Sequence, residues 1–179
     1  VLNSLGEKQK ALLYFQKALS LWKEASDGKG QALALSGIGA VHYALGEHRQ
    51  ALGYKKQSLR LFRSIKDAGG EANRLNDIGV IYFVLGAPEE ALKYYQQALP
   101  MLRAAGERGG EASALNNIGA AFRVMGEPQQ ALAYFKHALS LQRAIDDPRE
   151  MAITLTNIGA LHYRLGDAQQ ALYYYEKAL

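Results

Sequence analysis

Cysteine is absent from this 179-residue chain. Disulfides and thiolate metal sites are thereby excluded, and a reducing compartment fits. No apolar run reaches membrane-spanning length, and no stretch has the order of a secretory signal. Nor is there a block of like charge: 21 Lys and Arg stand among 17 Asp and Glu, for a formal net charge of +4. Such mild, scattered basicity does not single out nucleic acid or an acidic membrane as partner. A cytoplasmic protein without membrane contact is the expectation.

What the sequence has is a period. Gly6, Gly46, Gly86, Gly126 and Gly166 recur every 40 residues. Around them one phrase returns as ALGEHRQAL, VLGAPEEAL, VMGEPQQAL and RLGDAQQAL, with SLGEKQKAL at the front. A fixed period of this length marks a solenoid, in which each repeat buries its apolar face on its neighbour. Leu75, Ile78, Tyr82 and Leu85 have helical spacing, and Gly86 closes that run. Pro88 then suits the first turn of a second helix. Each repeat is therefore a helix A followed by a helix B. The pattern predicts helices A over 32–45, 71–85, 111–125 and 150–165. Helices B are predicted over 8–26, 48–67, 88–105, 128–146 and 168–179. The whole of 1–179 reads as one array, with a partial repeat at 1–31, complete repeats at 32–71, 72–111 and 112–151, and a partial repeat at 152–179. The opening VLNSLG reads as the tail of a repeat, as if cut from a longer chain.

Glycines at 39, 79, 119 and 159 sit inside helices A, where glycine costs about 1 kcal/mol against alanine. Each precedes Ala51, Ala91, Ala131 or Ala171 by the same offset. A glycine facing an alanine lets two backbones approach, which offsets the cost. Pro100 falls inside a helix B and is expected to kink it or loosen the preceding turn.

Leu75-x2-Ile78-Gly79-x2-Tyr82 followed by Ala91-x3-Tyr95 resembles the tetratricopeptide repeat. Leu115, Ile118, Gly119, Phe122, Ala131 and Phe135 repeat the match. Lys55 departs from it at the last aromatic position. The 40-residue period and the connector IKDAGGEANRLNDIG are similar to a long-repeat subgroup that includes spindle-orientation adaptors of the LGN type. LNNIG at 115–119 is similar to kinesin light chains, and the array also resembles those of bacterial CHAT-protease and NTPase signalling proteins. The resemblance implies an all-α, right-handed superhelical solenoid whose A helices line a concave groove. In such relatives the groove holds an extended or partly helical peptide.

The residue before each Ile-Gly is Gly37, Asp77, Asn117 or Asn157. Helical spacing places it on one stripe with small residues such as Ala40, Val80, Ala120 and Ala160. An asparagine both donates and accepts, so a ladder of them can pair with an extended backbone. The opposing reading has them bonded locally or to each other. Tyr43, Phe83, Arg123 and Tyr163 form a second row, which flanks a peptide or packs between helices. Arg74, Arg123 and Arg164 supply positive charge for an acidic ligand, countered by Asp77. The candidate groove is thus Asn73, Asn76, Asp77, Phe83, Asn116, Asn117, Arg123, Asn157, Tyr163 and Arg164.

Other motifs carry little chemistry. Gly37-x-Gly39 has His42 where a dinucleotide fingerprint needs glycine. Gly69-Gly70 and Gly109-Gly110 read as helix terminators. His42 and His162 stand at the repeat's tyrosine position as packed ring substitutes. No metal-ligand spacing or nucleophile motif is present, so neither a cofactor nor catalysis is expected. Lys55, Lys56, Arg60, Arg63 and Lys66 read as a solvated convex face. The function expected is a non-catalytic peptide-binding or scaffolding module. The alternatives are a structural spacer or self-assembling array and, less favoured, nucleic-acid binding through the basic face. Leu172, Tyr173, Tyr174 and Ala178 leave the last helix apolar, which predicts head-to-tail self-association.

Overall fold

The computed structural model describes residues 2–179, with side chains from Leu5 onward. The helices are α1 (Leu2–Glu24), α2 (Gly28–Ala44), α3 (His48–Ser64), α4 (Ala68–Val84), α5 (Pro88–Ala104), α6 (Arg108–Met125), α7 (Pro128–Ala144), α8 (Pro148–Arg164) and α9 (Ala168–Lys177). Among the described residues all regular structure is helical. The chain forms two compact units, one ending at Gly86 and the other starting at Ala87. In the first, α2 packs on α1 and α3, and α4 packs on α3. In the second, α6 packs on α5 and α7, and α8 on α7 and α9. The even-numbered helices are the A helices and the odd-numbered ones the B helices.

The turns explain the phasing. Each A-to-B turn has a left-handed glycine, such as Gly126 at φ 82°, a conformation that costs an ordinary residue about 1–2 kcal/mol. The B-to-A turns use Ser26, Lys66, Gly106 and Asp146 in the same region. Helices A therefore begin earlier than expected. Asp27 and Asp67 cap α2 and α4 by accepting from the Gly30 and Gly70 amides at 2.9 and 2.8 Å. Gly69-Gly70 and Gly109-Gly110 are thus inside first turns and terminate nothing. Gly70 is there for space, since a Cβ on it would lie 2.1 Å from the Phe62 ring.

One further expectation is corrected. Helix α1 runs straight through Gly6, which is not among the left-handed glycines. Helix α5 runs unbroken through Pro100. Pro100 and Gln96 are both exposed, so water can serve the carbonyl that the proline leaves unpaired.

The core of each unit lies between its A and B helices. In the second it includes Leu102, Leu115, Ile118 and Phe135, each fully buried. Burying such a side chain stabilises by about 1.5–3 kcal/mol. The packing glycines fall where their spacing predicts. A Cβ on Gly119 would stand 2.7 Å from the Phe135 ring and 3.1 Å from the Ala131 carbonyl. On Gly159 it would meet Tyr175 at 2.8 Å and the Ala171 carbonyl at 3.2 Å.

Candidate functional site

The helix-A stripes stay open to solvent. They comprise Leu33, Gly37, Ala40 and Ala44 on α2, and Asn73, Asp77, Val80 and Val84 on α4. On α6 they are Ser113, Asn117, Ala120 and Val124, and on α8 Ile153, Asn157, Ala160 and Arg164. None of these residues is buried, whereas Ile38, Ile78, Ile118 and Ile158 beside them are. Of the other candidates, Asn76, Phe83 and Arg123 are half-buried and Tyr163 is exposed.

In the first unit the stripe carries a charged cluster. Lys55 of α3 is buried, and its Nζ donates to Asp77 Oδ2 at 2.7 Å and to Ser36 Oγ at 2.9 Å. Burial pushes the Lys55 ammonium below the ordinary lysine value, against the opposing pull of Asp77. Arg74 Nε lies 2.9 Å from the same carboxylate oxygen but off the hydrogen-bonding direction. Ala40, Tyr43, Lys55, Asp77, Val80 and Ile81 line a hollow of about 170 Å³ there. Lys55 is therefore not part of a solvated basic face. Lys56 is half-buried with its Nζ on the Tyr82 hydroxyl, and Arg63 pairs with Glu71.

The offset from Lys55 to Asp77 recurs. Phe15 of α1 stands against Gly37, where a Cβ would lie 2.4 Å from its ring. The B-helix aromatic position thus faces the ladder position of the following A helix. Glycine at 37 admits a ring, and aspartate at 77 answers a lysine.

In the second unit Asn116 is buried, contrary to its place among the groove candidates. Its Oδ1 accepts from Thr154 Oγ1 at 3.2 Å and from Asn157 Nδ2 at 3.1 Å. It ties α6 to α8 because it sits one position round the helix from the open stripe. Asn157 keeps its amide oxygen as an acceptor. Arg164 Nη1 donates to the Arg123 carbonyl at 3.2 Å, which sets the two arginines side by side. Burial, and then the charge of Arg164, hold the Arg123 guanidinium below the ordinary arginine value.

The histidines at the repeat's tyrosine position are packed rings. His42 stacks on Tyr54 and His162 on Tyr174, at centroid distances of 5.2 and 5.3 Å. Tyr174 is therefore half-buried, while Leu172 and Tyr173 of α9 are 59% and 50% exposed and Ala178 caps the helix. Among the described residues no group of acidic and histidine side chains is placed to hold a metal ion. No described helix is long and apolar enough to cross a membrane.

The tetratricopeptide repeat model matches residues 1–64, 30–104 and 110–179. The chain belongs to the tetratricopeptide repeat family. Its fold is similar to BtubC (BKLC) from P. vanneervenii, with 22% identity and a TM-score of 0.85 over 98% of this chain and 73% of that one. A Podospora anserina protein of the kinesin light chain type, with nearly identical repeats, gives 12% and 0.73 over 98% and 87%. The Rap conjugation gene regulator of plasmid pLS20, in complex with the Phr* peptide, gives 20% and 0.81 over 97% of this chain and 48% of that one. At these identities the likeness establishes the tetratricopeptide fold and not the activity. No curated protein matches the chain.

Proposed function

We propose that this tetratricopeptide array is a non-catalytic protein–protein interaction module that takes an extended peptide along its A helices. The open stripe carries the reading. Small residues leave room for a backbone, and Asn117 and Asn157 bring amides to its edge. A structurally similar Rap regulator in complex with a peptide supports it. The bond from Asn157 to Asn116 also fixes the direction of the Asn157 amide, so that its oxygen is held in place before a ligand arrives.

Each amide contact contributes about 0.5–1.5 kcal/mol net. Replacing Asn117 and Asn157 together by alanine is therefore expected to weaken binding of a fluorescent random decapeptide pool about tenfold, with the helical signal retained. Unchanged affinity in a folded double variant would refute the groove assignment.

A further inference from the structure

A second opening lies between B helices, away from the open stripe. Residues of α7 and α9 wall a cleft of about 740 Å³, with Leu155 and Ile158 of α8 at its floor. Lys136, Ser140 and Arg143 stand on one wall at the spacing of a single helical stripe. Tyr173 and Lys177 stand on the other, and all five residues are exposed. None of the described residues lining the cleft is acidic, and α7 carries no Asp or Glu along its length.

The arginine owes its availability to one residue. Arg63 and Arg103, at the same place in earlier repeats, are held by Glu71 and Glu111 of the following A helix at 2.7 and 2.6 Å. Met151 stands in that acidic position after Arg143. The ion pairs found in the second unit are Lys93 with Glu90, Arg103 with Glu111 and His162 with Asp167. Lys136, Arg143 and Lys177 take part in none of them. Lys177 lies instead over the Tyr173 ring, 5.7 Å from its centroid.

Repeat packing does not demand these charges. In the first unit a cleft of about 450 Å³ has Gln16, Gly53 and Gln57 at the places of Lys136, Tyr173 and Lys177. The pair α5 and α7 has Gln96, Ala133 and His137 there. The cations therefore mark one cleft and do not continue as a track for a long strand. Like charges around a hollow repel one another, and a bound anion relieves the repulsion. Cations on two walls match a polyphosphate better than a single carboxylate. Tyr173, 50% exposed, offers ring surface on which a flat base stacks. The volume is that of a small-molecule site.

We propose that this cleft binds a free nucleotide. Lys136, Arg143 and Lys177 hold the phosphates, the Ser140 hydroxyl donates to a phosphate oxygen, and the base lies against Tyr173. The site is separate from the peptide stripe and does not rest on it.

Titration of N-methylanthraniloyl ATP with the protein, read by fluorescence, tests this. Unlabelled ATP, inorganic triphosphate, an oligoadenylate decamer and a glutamate decapeptide serve as competitors. ATP is expected to displace the probe better than any of the others. Arg143→Gln with Lys177→Gln, both at exposed side chains, should weaken the probe about tenfold or more without lowering the melting temperature. Met151→Glu restores the acid that holds the arginine in earlier repeats and should weaken the probe several-fold. Tyr173→Ala should weaken ATP and leave triphosphate unchanged. Failure of wild type to bind the probe, or binding that survives the double substitution, overturns the proposal. Equal displacement by triphosphate, or tighter displacement by the glutamate decapeptide, overturns the nucleotide assignment. Tighter displacement by the oligoadenylate overturns the assignment to a free nucleotide.

Discussion

Lys55 Nζ of α3 stands 2.7 Å from Asp77 Oδ2 of α4, joining the B helix of one repeat to the A helix of the next. The lysine side chain is 9% exposed and the aspartate 32%. Removing one partner of such a pair leaves the other charge stranded, at a cost of up to about 3–5 kcal/mol when fully buried. Asp77→Asn is therefore expected to destabilise the first unit by about 2–3 kcal/mol, the aspartate being partly exposed. The double variant Lys55→Phe with Asp77→Asn places at this offset the residue types of Phe135 and Asn157 and should recover most of that loss. Denaturant melts of the three variants form the cycle, and additive losses would show that the two residues are uncoupled.

The same lysine sets a pH dependence. Burial holds its folded-state value below the ordinary 10.5. Between the lowered value and 10.5 the unfolded chain keeps a proton that the folded chain has released, so stability rises with pH across that window. Below the window both states are charged and the burial penalty is fully present. The melting temperature of wild type relative to Lys55→Met should thus climb as pH is raised toward 10.5. A difference that is flat or falls would contradict the assignment.

Gln142 is fully buried on α7, and neither its amide nitrogen nor its oxygen finds a partner. Trp22, Phe62 and Leu102 occupy the same position in the other repeats. An unsatisfied buried amide costs about 1–3 kcal/mol. Gln142→Leu should raise the stability of the second unit by that order in urea unfolding. Gln142→Phe should not, because Trp22 and Phe62 are admitted by Gly30 and Gly70, and Glu150 stands at the corresponding place.

Gly119→Leu forces a side chain into the Phe135 ring and the Ala131 carbonyl, and overpacking of this kind costs about 1–3 kcal/mol or more. Gly70→Ala meets Phe62 in the same way, although alanine is worth about 1 kcal/mol more than glycine inside a helix. Both variants should melt below wild type. A Gly70→Ala protein as stable as its parent would mean that Phe62 can move aside.

The repeat was legible because two independent periods agree, the helical spacing of Leu75, Ile78 and Tyr82 and the return of the turn glycines. That agreement placed every helix and identified Gly119 and Gly159 as close-approach positions. Helix starts were not legible. A glycine pair reads as a breaker until Asp27 and Asp67 are seen to cap the helices that contain them. Side-chain direction escaped too. Adjacent positions on a helix differ by about 100°, and the spacing that puts Asn117 on the stripe does not by itself turn its neighbour Asn116 inward. Lys55 carries a signal of its own. It stands where the repeat has an aromatic ring, and that position points inward.

The correspondence of Lys55 with Asp77, and of Phe15 with Gly37, gives the array a word order. The aromatic position of the first repeat meets a glycine, and the lysine at that position in the next meets a carboxylate. Exchanging the residues at 37 and 77 would bring a ring against a carboxylate and an ammonium against bare backbone. Recombination and domain shuffling can therefore move these two B helices only together with the A helix that follows each.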